Sequence, residues 1–231
     1  AHAKLGAVAS SDRLLYGLEI GSGTATVSTS SGGYYSLGKL TFTNEGQGTL
    51  ALTSWSKLVL TDSLETKKAT KIDAADATIQ LYCGTGEKCF SDVQTGRADL
   101  GGDAVIGTLK LSQGGLKVSG TAMIQNLDFK DASNLQIEIA SGGVLNLGST
   151  NLGGTHKIFS GEGTLNAVKS NTSGYLLLAT GSSVLGNLNI EKDAGVNLTF
   201  LTNVRNTNIY DGGALTLNSY AYNVLSGGTF N

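Results

Sequence analysis

The chain has 231 residues, 33 of them Gly and none Pro, with 40% hydrophobic and 15% charged residues. That length supports one good-sized core without requiring a second domain. Sixteen Lys and Arg against 18 Asp and Glu leave no basic face for phosphates, which argues against nucleic acid as a partner. No run of about 18 apolar residues and no basic-then-apolar leader occurs, so any export signal or anchor is expected outside this sequence.

The first 33 residues, including "GSGTATVSTSSGG", are irregular and read as a first coil or part of a cap. Beyond them apolar residues recur at alternate positions in short runs: Leu40 and Phe42, Leu50 and Leu52, Leu58 and Leu60, Leu109 and Leu111, Leu116 and Val118. The pattern continues through Ile137 and Ile139, Leu145 and Leu147, Leu188 and Ile190, Leu198 and Phe200, Leu215 and Leu217. Thr, Asn, Lys or Ala sit between, as on strands with one buried face. Helical spacing is almost absent. One short helix is conceivable over residues 62–77, with Asp62 or Ser63 as its cap.

Matching runs return every ~20–25 residues, with Gly or Asn at the corners between them. That period suits one coil of a parallel β-helix, each rung stacked on the last. Proline would delete an N–H that a neighbouring rung needs, and its absence fits interior strands. A β-sandwich would alternate too, but has no reason to keep one period. Roughly ten rungs at ~4.8 Å would make a rod about 50 Å long. The expected fold is therefore all-β, one solenoid domain over 1–231. The C-terminal "ALTLNSYAYNVLSGGTFN" stops with the repeat still running, so the domain is expected to be a fragment of a longer protein.

The repeat falters over residues 61–104, which reads as an excursion from the solenoid. It carries Lys67, Lys68 and Lys71 and the acidic Asp73, Asp76, Asp92, Asp99 and Asp103. Such projections are where binding tends to sit, so Lys67, Lys68, Lys71, Asp73, Asp76 and Asp92 are the candidate binding residues, against the alternative of an insertion without function. Cys83 and Cys89 lie in the same segment, in "LYCGTGEKCF". A close pair in an otherwise cysteine-free chain reads as a disulfide-closed loop in an oxidising compartment. Zinc is the competing reading, but it needs two further ligands, and the only histidines are His2 and His156.

Catalytic constellations are thin. No G-x-S-x-G occurs, and a Ser-His-Asp triad would have to use His2 or His156. Asp73 and Asp103 are the carboxylates on which a polysaccharide-cleaving β-helix would depend. "GSGTAT" and "GTGEKC" fall short of a phosphate loop. No catalytic residue, metal or cofactor is therefore assigned. Trp55, Tyr34, Tyr35, Tyr220 and Tyr222 could stack on sugars or anchor a partner, or could simply cover a core edge.

The runs "GTLALTS", "GTLKLSQGGLKVSG", "GGVLNLGSTNLGG", "GTLNAVKS" and "GGALTLNS" resemble the coils of a bacterial autotransporter passenger domain (type V secretion). The resemblance is one of repeat style and covers most of the chain. It implies a right-handed parallel β-helix, exported through the outer membrane and displayed or released at the cell surface. It also implies adhesion to host cells or matrix, with a host surface protein or glycan as partner, or self-association in aggregates and biofilm. A secreted toxin segment that oligomerises on a host receptor is the alternative. The sequons at Asn171 and Asn197 keep a fungal cell-wall adhesin in view.

Overall fold

The structure is a computed structural model, and it describes residues 2–5, 15–30, 32–43, 47–90, 96–112, 114–129, 135–151, 158–171 and 174–231. Parallel strands stack as a β-solenoid of about 9 turns, with no helix among the described residues. Every pairing between strands is parallel, and three columns of strands, here faces 1 to 3, run the length of the stack.

Face 1 begins with β1 (His2–Leu5), β3 (Gly23–Val27) and β5 (Gly48–Leu52). It continues through the first halves of β7 (Lys71–Gln80), β9 (Asp103–Leu111), β11 (Thr121–Phe129) and β13 (Val144–Asn151). The last halves of β14 (Ile158–Ala167), β16 (Leu185–Ile190), β18 (Thr202–Ile209) and β20 (Tyr222–Phe230) complete it. Face 2 starts with the first residues of β4 (Tyr35–Phe42) and β6 (Lys57–Thr66) and takes in the ends of β7, β9, β11 and β13. It finishes with β15 (Leu176–Leu178), β17 (Gly195–Leu198) and β19 (Ala214–Thr216). Face 3 holds β2 (Leu15–Ile20), the ends of β4 and β6, β8 (Arg97–Leu100), β10 (Leu116–Val118), β12 (Gln136–Ile139) and the starts of β14, β16, β18 and β20. From β5 onward each turn passes face 1, face 2 and face 3 in that order.

Inward residues line up across turns. On face 1, Leu50, Ile72, Ala104, Ala122, Leu145, Leu165 and Leu188 are successive register partners. On face 3, Leu64, Ala98, Leu116, Ile137 and Phe159 do the same. All are buried, and each large aliphatic withdrawn from water contributes about 1.5–3 kcal/mol before entropy is counted. Neighbouring turns thus share one core, and the chain's long-range order is set by the apolar period of its sequence.

Close approach at the corners explains some of the glycines. A Cβ at Gly102 would lie 2.3 Å from the Thr70 carbonyl oxygen and 2.4 Å from that of Lys67, so only hydrogen fits where these turns meet.

One alternative is removed and one expectation is corrected. Residues 62–77 form no helix: 62–66 end β6 and 71–77 lie in β7, where Ile72, Ala74, Ala77 and Ile79 face the core. Alanine favours a helix in isolation, but here it serves as a small inward side chain, and rung pairing overrides the propensity. The excursion is also narrower than 61–104. Strands β6, β7, β8 and β9 keep the stack in register through that stretch, and the described residues between β7 and β8 are 81–90 and 96. Two of the alternating runs overreach: Phe200 and Leu217 fall just beyond their strands and are exposed. Within 1–33, β1 and β3 pair in the stack as part of face 1, and β2 pairs with β4 on face 3.

Candidate functional site

The charged residues of the predicted excursion do not converge. Lys67 and Lys68 sit on the corner between faces 3 and 1, where they line an open groove of about 770 Å³ together with Arg97, Asp99, Asp103 and Lys117. Gly101, Gly102 and Gly120 form its floor, because the close packing of turns leaves no room there for side chains. Its walls carry both signs. Glu65, Asp99, Lys117 and Glu138 are successive outward partners on face 3. Lys67 is paired with Glu65, Arg97 with Asp99 at 3.1 Å and Lys117 with Glu138 at 3.1 Å. These are exposed pairs worth little individually, and they leave a polar groove with its charges mostly balanced.

Lys71 and Asp73 project from face 1 instead, 3.9 Å apart and solvent-exposed. Asp76 lies at the opposite corner, between faces 1 and 2. Asp92 and His156 lie outside the described residues.

Cys83 and Cys89 are joined, with S–S 2.04 Å and Cα–Cα 5.9 Å. They form a close cluster with Glu87, but both sulfurs are held in the bond and cannot serve as thiolate ligands. Glu87 does other work. Its side chain is 11% exposed and accepts hydrogen bonds from Lys57 Nζ, from Gln80 Nε2 at 2.7 Å and from the Gly84 N–H at 2.7 Å. The Lys88 N–H donates to the Tyr34 hydroxyl at 2.6 Å, and Phe90 meets Tyr16 with ring centroids 4.9 Å apart. The cystine loop therefore lies back along the side of the stack, touching Tyr16 of β2, Tyr34 just before β4, Lys57 of β6 and Gln80 of β7. It braces the early turns.

The most regular surface was not singled out from the sequence. On face 1, Asn146, Asn166, Asn189, Asn208 and Asn231 occupy one outward column. Each amide donates to the carbonyl of the one before: Asn166 to Asn146 at 2.8 Å, then Asn189 to Asn166, Asn208 to Asn189 and Asn231 to Asn208, each at 2.9 Å. Beside them runs a second column of Thr164, Asn187, Asn206 and Thr229, with Asn206 donating to Asn187 at 2.9 Å. The signal was present as an Asn flanked by inward residues, Leu145-Asn-Leu147, Leu165-Asn-Ala167 and Leu188-Asn-Ile190, but stacking it requires the register.

The aromatics divide. Tyr35 is buried in the core cluster, and Tyr222 is half-buried, its hydroxyl 2.5 Å from that of Thr207. Burial pushes the Tyr222 phenol above its usual range, a rise the Thr207 hydrogen bond opposes. Trp55 is 84% exposed and covers no core edge.

No protein-family model, curated protein or solved structure matches this chain.

Proposed function

We propose that this solenoid is a surface-displayed or secreted passenger segment of a bacterial autotransporter, acting in adhesion and in association between copies of itself. The uncharged Asn ladder of face 1 is the observation that carries this reading. Within a ladder each amide spends one N–H and one lone pair on its neighbours, and the second of each remains for a partner. The two outward columns from Val144 to Asn231 hold no charged residue, so a second copy meets no like-charge repulsion there. Any molecule with the same ~4.8 Å repeat can match donor to acceptor along the whole row. Single contacts of this kind are weak, and their number along a stiff rod makes the association firm. The closely spaced cystine is compatible with an exported, oxidising setting.

The test is aggregation of cells that display the chain, with sedimentation of the purified chain alongside. Asn166→Asp together with Asn189→Asp places two carboxylates on the face. Association should be lost at low salt and partly restored at high salt, where the new charges are screened. Unchanged aggregation by a variant that keeps its β spectrum would remove face 1 as the contact.

A further inference from the structure

Trp55 occupies a left-handed backbone position that this chain elsewhere gives mostly to glycine. Several turns close with an i+3 N–H to i carbonyl bond: Gly33 to Ser30, Glu87 to Gly84 within the cystine loop, Gly143 to Ala140, Gly213 to Tyr210, Ala194 to Glu191 and Tyr220 to Leu217. Their third residues have positive φ and are Gly32, Gly86, Gly142, Gly212, Asp193 and Ser219, all glycine or small and polar. The corner between β5 and β6 is built alike, with the Ser56 N–H on the Thr53 carbonyl at 3.0 Å and the third residue at φ 65°. That residue is Trp55. A bulky side chain in the left-handed region is strained, and its indole is left almost wholly in water.

The surroundings hold this strain in place. Ser56 is buried, its Oγ accepts from the Thr29 N–H at 3.0 Å, and it lies 2.8 Å from Thr53 Oγ1. The Trp55 N–H donates to the Asp76 carbonyl one turn on, at 2.8 Å, and the Thr78 N–H donates to the Ser56 carbonyl at 2.9 Å. Nothing in this network uses the indole. The fold fixes a costly backbone and gains no packing from the ring, which is the pattern of a binding residue.

The rim decides the class of ligand. Thr53, Ser54 and Asp76 are exposed around Trp55, and Asp76 leaves the same corner one rung away. One flat apolar ring amid hydroxyls and a carboxylate suits a pyranose: its C–H face covers the indole while its hydroxyls donate to Asp76 and share hydrogen bonds with Ser54 and Thr53. A protein hot spot would bring further large apolar side chains to the corner, whereas its exposed residues beside Trp55 are Thr53, Ser54, Ala75 and Asp76. We infer that the corner formed by Trp55 and Asp76 is a saccharide-binding site. It is independent of the face 1 ladder, which begins at Asn146.

Trp55 is the only tryptophan, so its fluorescence reports the site alone. The experiment titrates the chain with soluble neutral and sialylated oligosaccharides and probes a printed array of the same sugars. A subset should shift Trp55 emission to the blue. Trp55→Gly should keep its β spectrum and a Tm at or above that of the unmodified chain, yet lose array binding at least tenfold. Trp55→Phe should retain part of the binding, and Asp76→Asn should weaken it severalfold. Asn166→Asp with Asn189→Asp should leave it unchanged, so the site and the ladder fail separately. The assignment is overturned if no sugar moves the emission, if Trp55→Gly binds as the unmodified chain does, or if the emission responds to a protein partner and to no sugar.

Discussion

The Asn ladder makes a prediction about two residues 23 positions apart in sequence. Asn189 donates to Asn166 and accepts from Asn208, while Asn166 also donates to Asn146. Replacing either Asn166 or Asn189 by Ala therefore removes two side-chain bonds, at about 0.5–1 kcal/mol each in a half-exposed setting, so each variant should lose about 1–2 kcal/mol. The double variant removes three bonds and not four, because the bond between them is shared. Its loss should fall short of the sum by one bond, about 0.5–1 kcal/mol. Asn166 and Asn208 supply the control: both bond to Asn189 and not to each other, so their losses should add within ~0.3 kcal/mol. Urea unfolding of the four chains in each cycle measures both quantities. Additivity in the 166/189 pair, or coupling of equal size in the control, would refute the ladder and the register beneath it.

Four further outcomes follow from particular positions. Gly102→Ala should lose about 2–3 kcal/mol in urea unfolding, since its Cβ meets two carbonyl oxygens. Gly142→Ala meets open space but has φ +78°, and should lose only about 1 kcal/mol. Replacing both cysteines by Ser should cost about 2 kcal/mol by loop closure and quicken amide exchange at Gly84 and Lys88, while β11–β20 stay protected. Tyr222 holds its proton more tightly folded than unfolded, so its contribution is present below the usual phenol range of about 10 and is lost as pH rises through the higher folded value. Tyr222→Phe should lose less stability than the unmodified chain between neutral and strongly alkaline pH, measured by the urea midpoint.

The fold was legible because its core is built from a repeating period. Leu50 and Leu52, Leu109 and Leu111, and Leu145 and Leu147 read as strand pairs and are buried as such. The reading blurred where the inward residues are small. Ala74, Ala77, Ala98 and Ala104 fill core positions, each next to at least one charged residue, so a continuous stack resembled an excursion. Phe200 and Leu217 matched the alternation but fall just past a strand end, where the chain turns outward. Site residues were harder to place. The cystine follows from composition, but the bonds from Glu87 to Lys57 and Gln80 depend on which turn the loop folds across. Lys67 and Asp76 are nine positions apart and stand on opposite corners, which only the bend within β7 decides. The strain at Trp55 leaves no mark on its neighbours in sequence.

Distances along one outward column of face 1 report the stacking of the turns themselves. Thr24, Thr49, Thr121, Thr164 and Thr229 lie on it, and each can carry a spin label through an introduced cysteine. Measured from Thr229, the separations should grow by ~4.8 Å per turn, to about 14 Å at Thr164, about 24 Å at Thr121, about 38 Å at Thr49 and about 43 Å at Thr24. Separations that level off or reverse along this series, as two facing antiparallel layers would give, would contradict the in-register stack.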